Sequence, residues 1–163
     1  MARQVFYSFH YKPDYWRTSQ VRNIGVIEGN RPAPDNDWET ITKTGDAAIQ
    51  KWIDEQMHYR STTILLAGSQ TAGRKWINYE IEKTWKEGMG LVGICVHRLK
   101  HSDGYQSTQG SNPFDRYKIG KTPLNQIVKL YNPPYTDSKD VYKYISENIS
   151  NWVEEAIKIR AKY

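Results

Sequence analysis

The sequence predicts an open, mainly parallel α/β sheet with helices on both faces. Short apolar segments alternate with amphipathic ones, no internal repeat is visible, and one strand candidate is apolar at nearly every position. The helices supply the right-handed crossovers that parallel strands need. The length of 163 residues suits one domain, 1–163, which buries enough surface to fold without disulfides or metal.

The first half of the chain is predicted to run strand, helix, loop, helix. Residues 3–10 are rich in aromatic and β-branched side chains, which favour a strand. Pro13 suits a first helical turn, and the helix is expected to end near Gly29. A loop at 30–37, rich in Pro, Asn and Asp, precedes an amphipathic helix at about 44–57. The positions that set the spacing of the first helix are Trp16, Gln20, Ile24 and Ile27.

The second half continues the alternation but contains one very long connection. In order, the predicted elements are a strand at 61–67, a helix at about 74–87, a strand at 91–96, a loop at about 97–124, a strand at 126–131 and a helix from about Ser138. The long loop is rich in Gly, Pro and Asn. Connections of this length are usually functional or disordered.

Composition excludes several classes of protein. With 25% charged residues and no apolar run near 20 residues, a transmembrane chain is excluded, and 13% aromatic residues argue against disorder. The N-terminal segment lacks the apolar core of a secretory signal, so a cytoplasmic location is expected. The single cysteine, Cys95, lies in an apolar strand and is predicted to be a buried thiol.

The net charge of +5 allows anionic partners without selecting one. Residues 98–122 hold five basic side chains against two acidic ones. One hypothesis is therefore a nucleic-acid binder that stacks bases on Tyr105, Phe114 and Tyr117. It is disfavoured because the chain has no run of Lys and Arg.

Familiar catalytic motifs are missing from the sequence. The sequence contains no glycine-rich dinucleotide fingerprint and no P-loop, which argues against dehydrogenases and P-loop proteins. It also contains neither HExxH nor GxSxG, which argues against zinc proteases and serine hydrolases. His97 and His101 share a loop and are interpreted as solvated histidines. No metal site is predicted.

Ligands of open α/β sheets bind at the carboxyl ends of the strands, which directs attention to residues 8–11, 68–71 and His97. Glu80 lies on the border of the apolar stripe of its predicted helix. It can face a cleft, or it can be a solvated glutamate that pairs with a neighbouring lysine, Lys83 or Lys86. Trp76 has two similar interpretations, core packing or stacking on a substrate.

Six short segments follow one another at characteristic spacing. They lie at 5–11, 21–23, 64–71, 76–81, 93–94 and 112–115. The strand that ends in Gly-Ser-Gln-Thr is followed at short distance by Trp-x-x-x-Glu-Ile, which is the most specific of these features. Together the segments resemble bacterial TIR-like domains, in particular the TIR proteins of Thoeris antiphage defence. The resemblance covers residues 3 to about 115.

The resemblance implies a flavodoxin-like sheet and an NAD nucleosidase or ADP-ribosyl cyclase, a hydrolase for which NAD is the substrate and no cofactor is needed. Glu80, the glutamate of the Trp-x-x-x-Glu helix, would be catalytic. The leaving nicotinamide is already cationic, so one carboxylate that stabilises an oxocarbenium-like transition state suffices. The other implied contacts are Ser8, Phe9 and His10 at the border of the pocket, Ser69 and Trp76 on its floor, and Asn112 as a cap.

The resemblance also implies partners. The product would be a cyclic ADP-ribose-type signal that diffuses to an effector protein during phage infection. Many TIR enzymes complete the pocket with a loop from a second subunit, and 29–44, with Trp38, is the candidate for such a homo-oligomer on activation. The Pro-rich stretch at 31–34 matches no family motif. The alternative is a catalytically silent TIR-like module that acts by protein association; no membrane partner is expected.

Overall fold

The computed structural model describes residues 3–24, 28–29 and 45–163. Its strands are β1 (Gln4–Phe9), β2 (Glu28–Gly29), β3 (Thr62–Ala67), β4 (Gly90–Cys95), β5 (Lys118–Ile119), β6 (Thr122–Pro123) and β7 (Leu130–Tyr131). Its helices are α1 (Tyr11–Arg22), α2 (Asp46–Met57), α3 (Lys75–Lys86) and α4 (Ser138–Arg160), with a 3₁₀ turn at Leu124–Gln126.

The main sheet has the order β2-β1-β3-β4-β7, and every pair in it is parallel. Counted along the chain this is the 2-1-3-4-5 order of flavodoxin-like folds. The predicted fold class is confirmed. The chain passes from β1 to one neighbour and then returns to the other, so the switch point lies between β1 and β3, where such folds bind their ligands.

Helices cover both faces of the sheet. Alternate side chains of the long strands point to opposite faces, so one face packs against α1 and α4 and the other against α2 and α3. The first face buries Tyr7, Ile64 and Val92 against the stripe of α4 that includes Ile145 and Ile149. No helix in the described part of the chain is long and apolar enough to span a bilayer.

The prediction for the first helix is wrong in its end and in its buried face. The helix ends at Arg22, and Glu28–Gly29 pairs with β1 as a strand. The buried positions of α1 include Asp14, Arg17 and Thr18, whereas Trp16 is 48% exposed. The apolar spacing did not predict this face because Asp14 and Arg17 are buried by contacts with other elements, which a hydrophobicity pattern does not register. The predicted loop at 30–37 and Trp38 lie outside the described residues.

The predicted strand at 126–131 is also mostly wrong. Only Leu130–Tyr131 pairs with β4; Gln126 ends the 3₁₀ turn, and residues 127–129 connect that turn to the strand without regular structure. Ile127 and Val128 are apolar because they pack in the core cluster over α3, not because they extend the sheet. The long connection is described throughout and contains the antiparallel hairpin of β5 and β6.

Candidate active site

Strand β1 and helix α3 bring Ser8 and Glu80 together. Ser8 lies near the carboxyl end of β1, in register with Leu65 of β3, and shares the face that α2 and α3 cover. The Ser8 hydroxyl donates a hydrogen bond to Oε2 of Glu80. Ser8 is 1% exposed and Glu80 5% exposed. The solvated interpretation of Glu80 is therefore wrong.

The surroundings of Glu80 disfavour its charged form. Burial raises the pKa of Glu80 to about 8, and the hydrogen bond from Ser8 opposes that rise. The neighbouring Lys83 pairs instead with Asp54 and Glu87, at 3.6 and 3.3 Å. The carboxyl group is therefore largely protonated at neutral pH until a positive charge approaches it.

Two threonines fix the backbone that carries Glu80. The Thr84 hydroxyl lies 2.6 Å from the carbonyl oxygen of Glu80 and 2.7 Å from the Thr63 hydroxyl of β3. All three residues are buried. Helix α3 is thus held to the central strand beside the candidate catalytic group.

His10 follows β1 and is half-buried. Burial, with a smaller contribution from the charge of Arg74, lowers the pKa of His10 to about 4, so the imidazole is neutral at physiological pH. Its Nδ1 is buried and has no hydrogen-bond partner among the described residues. His10 is therefore a neutral, half-buried side chain just after the carboxyl end of β1.

Phe9 lies on the other face of the sheet, and Trp76 packs in the cluster at α2. Phe9 packs against the core over α1 and α4, on the opposite face of the sheet from Ser8, with the Arg22 guanidinium 5.8 Å from its ring centroid. Trp76 is half-buried, packs against the α2 cluster and meets Tyr79 edge-on at 5.6 Å. Core packing is the observed arrangement for Trp76.

Ser69 and Asn112 come from two loops that cross. Ser69 follows β3, and a Cβ atom added at Gly110 would lie 2.6 Å from the Gly68 carbonyl oxygen and 2.8 Å from that of Ser69. Asn112, two residues further on, is half-buried, and its Oδ1 accepts a hydrogen bond of 2.9 Å from the backbone N–H of Phe114. The long loop therefore runs over the end of β3.

Phe114 itself is fully buried. It packs in the cluster of Leu65 and Ile77, so it cannot offer a stacking face for a base. Tyr117 packs against the same cluster, and only Tyr105 of the three proposed stacking residues is exposed. This placement contradicts the nucleic-acid hypothesis.

The sequence patterns did not identify two buried residues at the carboxyl edge of the sheet, Asp14 and Arg17 of α1. Asp14 has no exposed surface, and neither carboxylate oxygen has a hydrogen-bond partner among the described residues. It lies against Gly68, where an added Cβ would be 2.1 Å from Oδ2 of Asp14. Burial raises the pKa of Asp14 to about 6, although Arg17 and His101 oppose the rise.

Little in the local sequence indicates that Asp14 and Arg17 are buried. An acidic residue just after Pro13 is ordinary for a first helical turn, and an arginine on a helix is usually solvated.

Over the part of the chain that the structure describes, no three His, Cys, Asp or Glu side chains are placed to hold a metal ion.

The flavodoxin-like parallel sheet, with helices on both of its faces, is the architecture of TIR-like α/β domains. Residues 6–101 match the family model described as the TIR-like domain of Thoeris protein ThsB. The match covers more than half of the chain. The chain therefore belongs to the family of ThsB TIR-like domains.

Three curated proteins are similar to the chain. "Putative cyclic ADP-D-ribose synthase ThsB1" of Bacillus cereus (strain MSX-D12) is 38% identical over 120 residues, which is 71% of this chain and 62% of that protein. Phycobilisome rod-core linker polypeptides CpcG2 of Nostoc and Mastigocladus laminosus are 29% and 27% identical over 114 residues, 45% of each linker. The matches thus span less than two thirds of these relatives.

Proposed function

We propose that this chain is a TIR-type NAD glycohydrolase or cyclase in which Glu80 is the catalytic residue. The observation that carries the proposal is the buried hydrogen bond between Ser8 and Glu80 at the switch point of the sheet. The similar protein of Bacillus cereus is named as a cyclic ADP-D-ribose synthase, which supports the same chemistry. A catalytically silent module would not need a buried carboxyl group at this position.

The proposed reaction breaks the bond between C1′ of the ribose and the ring nitrogen of nicotinamide. The electron pair of that bond returns to the pyridinium nitrogen, so nicotinamide leaves as a neutral molecule and needs no proton. Positive charge then develops on the ribose, and a carboxylate beside it stabilises the oxocarbenium-like transition state. Glu80 must be ionised for this role.

Binding of the cationic nicotinamide ring favours that ionisation, because a positive charge nearby lowers the pKa of a carboxyl group. Ser8 bonds to Oε2 of Glu80 and leaves Oε1 for a ribose hydroxyl. The neutral His10, just after β1, is the proposed contact for a polar group of the substrate. The proposed order is therefore binding, ionisation of Glu80, then bond cleavage.

An oxygen nucleophile completes the reaction on C1′. Water gives ADP-ribose, whereas a second hydroxyl of the same molecule gives a cyclic ADP-ribose; in each case the attacking O–H loses its proton as the new C–O bond forms. The outcome depends on which oxygen is held closer to C1′. We propose that the cyclic product is the signal to an effector protein, and that subunits associate on activation in the cytoplasm.

The test is nicotinamide release from NAD by the purified protein, with mass spectrometry of the ADP-ribose product. Wild type should release nicotinamide, and Glu80→Gln should lower the rate by about a hundredfold or more. Glu82→Gln is the matched control, because Glu82 is exposed on the same helix. Equal rates for Glu80→Gln and wild type would contradict the assignment.

The silent alternative makes a different prediction. If wild type releases no nicotinamide, the assay is repeated in lysates of phage-infected cells that express wild type or Glu80→Gln. Release that depends on Glu80 there supports an enzyme that needs a trigger. No release in either setting supports the association module.

A further inference from the structure

The loop between β4 and β5, residues 96–117 and called the β4–β5 loop below, crosses the carboxyl edge of the sheet. Its middle lies on the backbone that follows β3, where Gly110 contacts the carbonyl groups of Gly68 and Ser69. A side chain at Gly110 would collide with those oxygens. The loop can take this path only because residue 110 has no side chain. Its position over the end of β3 then depends on contacts made by the loop residues before and after Gly110.

Phe114 holds the loop on the far side of the crossing. The ring has no exposed surface and packs with Leu65, Ala67 and Ile77. The Phe114 backbone N–H also donates to the side-chain oxygen of Asn112. Asn112 is thus fixed relative to the core.

Arg17 of α1 holds the loop on the near side. Its Nε donates to the carbonyl oxygen of Leu99 at 2.9 Å, and Nη2 donates to that of Tyr105 at 3.1 Å. Its third nitrogen, Nη1, donates to the Pro13 carbonyl at 3.1 Å and lies 3.6 Å from Oδ1 of Asp14. The side chain is 8% exposed. One planar guanidinium therefore joins α1 to two points of the loop and to a buried carboxylate.

Backbone hydrogen bonds connect the two ends of the loop segment that Arg17 contacts. The backbone N–H of His101 donates to the Tyr105 carbonyl at 2.9 Å, and that of Ser107 donates to the His97 carbonyl at 2.7 Å. Other contacts hold the same segment, because Gln20 and Ser138 bond to the backbone of Lys100 and Gln106 donates to the Thr136 carbonyl oxygen. Arg17 adds the contacts that reach from α1 to Leu99 and Tyr105, of which Tyr105 is nearer in sequence to the crossing at Gly110.

We infer that Arg17 is a positioning residue for substrate binding: it holds the β4–β5 loop over the end of β3 and so places Ser69 and Asn112 at the edge of the NAD site. The inference rests on the proposed function. Asp14 is the counter-ion that allows the guanidinium to be buried. Tethering depends on the fork shape of arginine, since its three nitrogens donate in different directions within one plane to three carbonyl oxygens, whereas lysine carries a single ammonium nitrogen.

The experiment compares Arg17→Gln and Arg17→Lys with wild type by nicotinamide-release kinetics and by hydrogen exchange of residues 98–112. The matched control is Arg60→Gln, because Arg60 is half-buried and, like Arg17, donates to backbone carbonyls, including that of Val5, at the opposite edge of the sheet. We expect both Arg17 variants to exchange faster at 98–112 and to raise KM about tenfold, with little change in kcat. Arg60→Gln should do neither.

Arg17→Lys separates tethering from charge compensation and guards against misfolding, since it keeps a cation beside Asp14. If Arg17→Lys behaves as wild type, Arg17 only neutralises Asp14 and the inference is wrong. It is also wrong if the Arg17 variants raise KM no more than Arg60→Gln does, or leave exchange at 98–112 unchanged. Absence of wild-type turnover under every condition would instead count against the proposed function, while the exchange data would still report the tether.

Discussion

The Ser8 hydroxyl donates a hydrogen bond to the Glu80 carboxyl group, and this bond joins the first strand to the third helix across 72 residues of sequence. Both residues are buried. A serine in this position holds one carboxyl oxygen and leaves the other available. Because the bond favours the carboxylate while burial opposes it, the pair sets the protonation state on which the proposed chemistry depends.

Glu80→Gln should change how stability depends on pH. Since the folded-state pKa of Glu80 is raised from 4.5 to about 8, the wild-type free energy of unfolding should fall as pH rises between these values and then level off. At about 1.4 kcal/mol per pKa unit, the total loss is on the order of 5 kcal/mol. The Gln variant has no charge to bury, so its advantage over wild type should grow across that range.

Urea denaturation at pH 5, 7 and 8.5 measures this difference. Glu82→Gln is the control, because Glu82 is exposed and its replacement should follow the wild-type curve at each pH. A constant difference between Glu80→Gln and wild type from pH 5 to 8.5 would show that Glu80 is not desolvated in the fold.

Ser8→Ala should shift the pH profile of activity upward. The carboxylate is the active form, so kcat/KM for nicotinamide release should rise with pH and level off above the pKa of Glu80 in the free protein. The Ser8 hydrogen bond lowers that pKa, and its removal should move the inflection to higher pH by about one unit.

The profile is measured from pH 6 to 10 for Ser8→Ala and for Ser61→Ala. Ser61 is the matched control, because its hydroxyl donates to the Gln4 carbonyl at the other end of the sheet. An inflection for Ser8→Ala at or below that of wild type would mean that the serine does not stabilise the carboxylate.

Cys95 should be unreactive in the folded protein. The thiol is buried at the end of β4, and burial raises its pKa to about 11, which leaves roughly one thiolate in a thousand at pH 8. Labelling with a disulfide reagent at pH 8 should be slow in buffer and should reach one equivalent quickly in urea. Fast labelling without denaturant would contradict the described packing.

The confirmed parts of the fold are those in which hydrophobic periodicity follows burial. Helix α4 buries Val141, Ile145 and Ile149 on one stripe, and every residue of β4 is buried, as the near-continuous apolar sequence at 91–96 predicts. The buried face of α1 could not be predicted in this way. Arg17 is buried by carbonyl groups 82 and 88 positions away, and nothing in the local sequence indicates them.

The candidate site was predictable in part. The border position of Glu80 on its helix is a local property and was recognisable, whereas its contact with Ser8 depends on how α3 packs on the sheet. Phe9 shows the opposite case. Its neighbour Ser8 contacts Glu80, but strand alternation turns the Phe9 ring to the other face.

Gly68→Ala tests the contact between Asp14 and the end of β3. An added Cβ would lie 2.1 Å from Oδ2 and 2.5 Å from Cγ of Asp14, which is fully buried and cannot move into solvent. The substitution should therefore destabilise the protein by about 1–3 kcal/mol. The same change in an Asp14→Ala background should be less destabilising, because the obstructing carboxyl group is gone.

A double-mutant cycle by urea denaturation measures the coupling, which should exceed about 0.5 kcal/mol. Gly93→Ala serves as the control, since a Cβ there would meet Leu130 and Phe114 instead, and its effect should not depend on Asp14. Additive effects of Gly68→Ala and Asp14→Ala would contradict the contact. Coupling confined to Gly68 would place the Asp14 carboxyl group directly against the backbone that leads to Ser69. Helix α1 would then support the candidate site in two ways, through Asp14 at the end of β3 and through Arg17 at the β4–β5 loop.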